Sequence, residues 1–209
     1  LNYCNSIVFH LAAQTSVQNN NISLIEKDNI QAFLHIYELS RKLNIKFIYS
    51  SSSCSYNITS MYGLTKQFTD KFVELYPYEK CVGLRFHNVY GKQARENTLL
   101  GICKNNYTIT LYNNGLNRRH FTYIEDVCKT IVKAFDLPSG LYNIVNPIET
   151  TVIDFVSLVK QYKPNLYVIC VDEIRDRDKE IQHIDNTHIN LIEDNYTSLE
   201  DGLKKCFEK

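Results

Sequence analysis

The chain of 209 residues is 44% hydrophobic and balances 23 basic against 23 acidic residues. It is long and apolar enough to fill one large core or two small ones, and its charge excludes a general attraction to nucleic acid or an acidic membrane surface. Seven scattered cysteines, with no C-x-x-C pair and no zinc-like Cys/His spacing, point to a reducing cytoplasm rather than a disulfide scaffold or zinc module. No apolar run reaches the 18 or so residues that span a bilayer, and no charged-then-apolar leader precedes the first strand. The chain opens on Leu1 rather than Met, as a fragment would.

Residues 6–13 (SIVFHLAA) read as a buried strand ending near His10. Apolar residues at Ile30, Phe33, Leu34, Tyr37 and Leu43 recur at helical spacing, so residues 24–43 are expected as a helix stopped by Asn44. A second strand follows at 45–50 (IKFIYS), a helix at 61–76 ended by Pro77, and a third strand at 81–86 (CVGLRF). Strand, helix, strand, helix, strand with nearly continuous apolar strands predicts an α/β fold: a parallel sheet covered by helices on both faces, half of a doubly wound domain.

Beyond Gly91 the rhythm changes. A polar stretch leads to a strand at 108–112, a basic turn (NNGLNRRHF), a helix at 124–135, a strand at 140–145, a helix at 152–162, a strand at 166–171 and a closing helix at 198–207. The organisation expected is a partial Rossmann domain over 1–92 and a smaller α/β substrate-binding region over 93–209, with about 122–146 returning to the Rossmann sheet.

The stretch YSSSSCSYNITSMYGLTK, residues 49–66, places four serines and a cysteine at a strand end and then a Tyr-x-x-x-Lys pair. Tyr62 and Lys66, at i and i+4, leave the same face of the expected helix. A tyrosine hydroxyl titrates near 10 in water, and a nearby ammonium favours its phenolate, so Lys66 makes Tyr62 usable as an acid/base. A serine hydroxyl from the strand end can hold the same substrate oxygen. Among 15 tyrosines such a spacing arises about once by chance, and a second pair, Tyr76 and Lys80, is interrupted by Pro77. Spacing alone therefore carries little weight and favours a polar loop before an ordinary helix. The strand-end position favours a site, because open α/β sheets bind ligands at the carboxyl ends of their strands.

VFHLAAQTSV, FIYSSSSCSY, YGLTK, LRFHNVYG and RHFTYIEDV occur in this order and cover nearly the whole chain. Together they resemble the extended short-chain dehydrogenase/reductase family, specifically its NAD-dependent nucleotide-sugar epimerases and dehydratases. The resemblance implies Ser52, Tyr62 and Lys66 as the catalytic set. It implies NAD, or NADP, as cofactor, with His10, Ala12, Ala13, Asn29, Ser50, Tyr62, Lys66 and Phe86 on the cofactor side. It places Asn88 at the sugar-nucleotide phosphate, Arg119 and Arg175 as a diphosphate clamp suited to the planar guanidinium, and Asp178 where the family's carboxylate contacts either ribose or the protein's own structure. It also implies a homodimer formed through the Tyr/Lys helix and the helix before it.

Other residues have plainer readings. Arg85 is expected to be structural, the histidines at 87, 120, 183 and 188 have no metal spacing, and Cys128 and Cys206 are expected in the core.

The chain departs from the family pattern in three places. No two of its seven glycines have the spacing of a dinucleotide-binding turn, so that turn is expected upstream of Leu1, and the chain by itself is expected to hold NAD(P) weakly and to be inactive alone. The link between Tyr56 and Tyr62 is shorter than is usual, and Asn57 stands where a glycine is common. Ser53 and Cys54 replace the Asp-Glu pair of dehydratases, so elimination by that route is not expected. The readings that remain are a UDP-glucose 4-epimerase-like enzyme, a GDP-sugar 3,5-epimerase/reductase-like enzyme in which Cys54 of SSCSY is an acid/base, and a non-catalytic homologue.

Overall fold

The computed structural model of the chain describes residues 6–17, 21–175 and 195–208. In chain order they form β1 (Ile7–His10), α1 (Ile22–Ile25), α2 (Ala32–Lys42), β2 (Lys46–Ser52), α3 (Met61–Leu75), β3 (Cys81–Phe86), β4 (Val89–Tyr90), α4 (Leu99–Asn105) and β5 (Thr108–Leu111). These are followed by β6 (Arg118–His120), β7 (Thr122–Tyr123), α5 (Ile124–Lys133), β8 (Gly140–Ile144), β9 (Glu149–Thr151), α6 (Val152–Tyr162), β10 (Tyr167–Cys170) and α7 (Leu199–Phe207). Two compact units emerge, and among the described residues the first takes everything up to Phe86 together with 131–144. No helix among the described residues is long and apolar enough to cross a membrane.

The first unit is a four-stranded parallel sheet in the order β1-β2-β3-β8, flanked by helices. Its strands are continuous apolar runs because both faces are covered: Phe47, Ile48 and Tyr49 of β2 and Cys81 to Leu84 of β3 are all buried. Rings fill one side. Phe33 lies 5.2 Å from Tyr49 and 5.7 Å from Phe47, and Tyr37 lies 5.3 Å from Phe72, with most rings edge-on or tilted as their quadrupoles prefer. Helix starts follow capping chemistry: Ser60 Oγ accepts the Gly63 N–H at 3.1 Å, and Thr98, Thr151 and Ser198 cap α4, α6 and α7 in the same way. At the other end of β2, the Lys46 ammonium donates to the carbonyls of Phe135 and Leu137 just beyond α5.

The expected helix at 24–43 is not uniform. Between α1 and α2, residues Glu26–Gln31 form a wide π-helical turn, and the buried residues Ile25, Asn29, Phe33 and Tyr37 fall at strict steps of four. Three such steps drift by about 120° around a 3.6-residue helix, and the wide turn takes up that drift. Asn29 therefore stays on the buried side.

The second unit, described by itself, pairs β5 with β10 and β4 with β7 in parallel, and β6 with β9 antiparallel. Its core centres on Phe155, whose ring lies 4.3 Å from Phe121, with Leu100, Ile109, Val159 and Leu203 around it. Three sequence expectations change here. The polar stretch after Gly91 contains α4, the basic turn continues into β6, and Cys128 is exposed because α5 turns Asp126, Val127 and Thr130 inward. Cys206 is buried, as its helix face implies.

Gly83 sits in β3 where an added Cβ would lie 2.6 Å from both the Tyr49 ring and Leu141. Gly83→Ala is expected to overpack this layer and cost about 1–3 kcal/mol, a fall in Tm of roughly 2–10 °C in a thermal melt. An unchanged Tm would show that the layer has slack.

Candidate active site

β2 delivers Ser50, Ser51 and Ser52 at its carboxyl end, two residues further along than the apolar run alone implies. Ser52 caps a single 3₁₀ turn, Ser53–Ser55, by accepting the Cys54 N–H at 3.2 Å. The chain then reaches the first turn of α3, where a Cβ on Gly63 would lie 2.7 Å from the Cys54 carbonyl oxygen. The short link is thus closed by a contact that only glycine permits.

From α3, Tyr62 and Lys66 emerge one turn apart. The Lys66 ammonium donates to the Ser50 carbonyl at 2.7 Å and to Ser50 Oγ at 3.2 Å, and it stands 5.8 Å from the centre of the Tyr62 ring. Lys66 is only 5% exposed. Burial pulls its pKa down from 10.5 to about 8, against the opposing pull of Asp70. His10 ends the neighbouring strand opposite Tyr49, buried, and its pKa is lowered first by burial and then by the charge of Lys66. Burial first, and a positive Lys66 second, thus favour the neutral form of His10.

Behind this cluster lies a brace. Asn29 accepts the Gln14 N–H at 2.7 Å and donates to the Gln14 carbonyl and to Thr65 Oγ1, and Thr65 in turn donates to the Tyr62 carbonyl at 2.8 Å. Its amide is spent on the loop after β1 and on the turn that carries Tyr62. On the other side, the buried Asp70 accepts from Tyr49 Oη at 3.1 Å, Ser51 Oγ at 2.9 Å and Arg85 Nε at 2.9 Å. Arg85 continues to Tyr56 Oη at 3.1 Å, and Tyr56 donates to Asn143 Oδ1 at 2.9 Å. Arg85 is structural, as expected, whereas Asp70 was not singled out in the sequence. A cavity of about 510 Å³ opens beside Asp70 and Arg85, but neither Ser52, Tyr62 nor Lys66 lines it.

Residues 4–146 match the sequence profile of the NAD dependent epimerase/dehydratase family. The chain belongs to that family. An uncharacterized protein of Methanocaldococcus jannaschii is 30% identical over 188 residues, which cover 75% of this chain and 56% of that protein. A putative UDP-glucose 4-epimerase of the same organism is 26% identical over 184 residues, covering 74% of this chain and 60% of that one. The solved ADP-L-glycero-D-manno-heptose-6-epimerase of Helicobacter pylori superposes with a TM-score of 0.75 at 30% identity, over 95% of this chain and 70% of that chain. The chain spans about half the length of the curated relatives it matches. Its four-stranded parallel sheet flanked by helices matches the Rossmann-type fold of solved nucleotide-sugar epimerases and dehydratases.

The sequence-derived residues fall into two groups. His10, Ala12, Ala13, Ser50, Ser52, Tyr62, Lys66 and Phe86 all lie at or just beyond the carboxyl ends of β1, β2 and β3 or on the first turns of α3, within one unit. Asn88, Arg119 and Arg175 belong to the second unit. Asn88 has a positive φ of 23° and is exposed, Arg119 donates to the Arg118 carbonyl, and the Arg175 guanidinium lies 4.3 Å over the Tyr112 ring. Asp178 lies outside the described residues, as do His183 and His188. Buried His87 and His120 stack edge-on at 6.3 Å, and His120 Nδ1 is 2.9 Å from the Asn146 carbonyl oxygen. No group of three or more potential metal ligands occurs among the described residues.

The lowered Lys66 pKa is also a statement about stability. Between about 8 and 10.5 the unfolded chain still binds a proton that the folded chain has released, so this site destabilises the fold below 8 and the penalty fades as pH rises. The shift corresponds to roughly 3 kcal/mol. Lys66→Met is therefore expected to be no less stable than the parent at pH 7, with any advantage shrinking towards pH 10, in urea melts at both values. A large loss at pH 7 would mean that the two bonds to Ser50 outweigh the cost of burying the charge.

Proposed function

We propose that the protein is a nucleotide-sugar 4-epimerase that uses Tyr62 as its acid/base. The observation that carries this reading is the buried ammonium of Lys66 beside the Tyr62 ring and locked to the end of β2. In a site shielded from water its charge favours the phenolate far more than it would in solution. Tyr62 takes the proton of the C4 hydroxyl as the C4 hydride leaves. The resulting 4-keto sugar turns over, hydride returns to its other face, and Tyr62 gives the proton back. Ser52 donates a hydrogen bond to the C4 oxygen and keeps it aligned.

NAD, when bound, would supply the acceptor and then the donor of that hydride. The residues present fit it: Ala12 and Ala13 leave the backbone beyond β1 open, and His10, Ser50, Lys66 and Phe86 sit at adjacent strand ends. Asn29 serves this group from behind, through Gln14 and Thr65. Asn88, Arg119 and Arg175 are assigned to the sugar nucleotide and its phosphates, and Asp178 to its ribose. The six cysteines among the described residues are unpaired, in keeping with a reducing cytoplasm. A homodimer through α2 and α3 is supported by Leu39, Leu64, Phe68 and Leu75, exposed by 54%, 42%, 38% and 73%. Phe68→Glu is expected to shift sedimentation from dimer to monomer, and a monomeric parent would remove this part of the reading.

A second reading rests on Cys54, which is part-exposed beside Ser52 and has the chemistry of a proton donor for 3,5-epimerisation. Incubation of the full-length protein with NAD and either UDP-glucose or a GDP-mannose derivative in D₂O separates the two. Hydride return predicts C4 inversion without deuterium in the product, and Tyr62→Phe is expected to lower kcat by about 10²–10⁴. Deuterium at C3 or C5 would assign the Cys54 route, and tight sugar-nucleotide binding without turnover would assign a non-catalytic homologue.

A further inference from the structure

Asp70 is a carboxylate buried against the Lys66 cluster, and three side chains from two strands converge on it. It lies on α3 one turn beyond Lys66, so the two side chains share a helix face. Its two oxygens take hydrogen bonds from Tyr49 and Ser51 of β2 and from Arg85 of β3, and its side chain is 4% exposed. We propose that Asp70 is a positioning residue for the Tyr62–Lys66 pair: it fixes the register of α3 against β2 and β3 and holds Lys66 in the charged form that Tyr62 requires. This inference rests on the proposed role of that pair.

The geometric half follows from where the bonds land. Ser51 sits between Ser50, which receives the Lys66 ammonium, and Ser52, which caps the following turn. A bond from Asp70 to Ser51 therefore sets how far α3 has slid along the strand end. Arg85 extends the same anchor to Tyr56 and through it to Asn143, so the turn bearing Cys54 is tied at its far side.

The electrostatic half follows from which charges face Lys66. Burial works against its proton, His10 on β1 is held neutral, and Tyr62 carries no positive charge. Ser50 on β2 offers only dipoles. Asp70 supplies the opposing negative charge, and Arg85 on β3 partly offsets it through their ion pair at 2.9 Å. Removing Asp70 and removing Arg85 should thus move Lys66 in opposite directions. A merely structural anchor would loosen the cluster in both variants and move Lys66 the same way.

The test is direct titration of Lys66 in the full chain by the NMR shift of its labelled Cε, assigned by loss of the signal in Lys66→Met. Asp70→Asn is expected to lower the Lys66 midpoint by about one pH unit or more, and Arg85→Gln to raise it. Midpoints that do not move, or that move together, overturn the proposal. If Asp70→Asn does not fold, Arg85→Gln is compared with Arg85→Lys, which keeps the charge but loses the Nε bond to Asp70: a rise in Arg85→Gln alone supports the proposal, and a rise in both, a fall or no change overturns it. Neither cofactor nor sugar nucleotide is present in this measurement, so its outcome is independent of whether the protein epimerises anything.

Discussion

Everything at the candidate site depends on an ammonium placed where water is nearly absent. Lys66 reaches the end of a parallel sheet, is 5% exposed, and keeps its proton only because the Ser50 carbonyl, the Ser50 hydroxyl and the field of Asp70 replace part of its lost hydration. Burial that destabilises the fold is what makes the charge effective on Tyr62, since the same dielectric governs both. The serines at the end of β2 are small for the same reason. A larger side chain at Ser50 would occupy the space the ammonium needs.

The surrounding structure can be read as support for that placement. Asn29 and Thr65 hold the first turns of α3 from one side, Asp70 and Arg85 from the other, and the wide helical turn at Glu26–Gln31 brings Asn29 to its post. π-turns of this kind interrupt helices at a cost, and they persist where a side chain must face a particular way. Here the beneficiary is the loop after β1, whose Gln14 backbone is held by both ends of the Asn29 amide.

Much of this was legible in the residues. β3 and α6 fall residue for residue where apolar patterning puts them, because long, strongly periodic segments are governed by their own burial. What escaped notice was decided by partners distant in sequence. α4 is only seven residues long and draws its stability from packing on α6, and β6 is polar because it pairs with the equally polar β9. Cys128 looked apolar on its own, but Asp126 on the same helix turns inward to receive both the N–H and the hydroxyl of Thr197. That commitment, invisible locally, rotates Cys128 to the surface. Ser52, Tyr62 and Lys66 stood out through motif and spacing, whereas Asp70 is a single acid in a helix and acquires meaning only when Tyr49, Ser51 and Arg85 are seen to converge on it.

The tether at the opposite end of β2 has a mechanical meaning. Lys46 grips the carbonyls beyond α5 while Ser51 is held by Asp70, so the strand behaves as a beam clamped at both ends. Such a beam resists sliding along its length, and a slip of two residues would have to break both clamps at once. Variation in what the site accepts then falls to the segment between Tyr56 and Tyr62, which lies beyond both clamps and can change in sequence without sliding the strand that carries the serines.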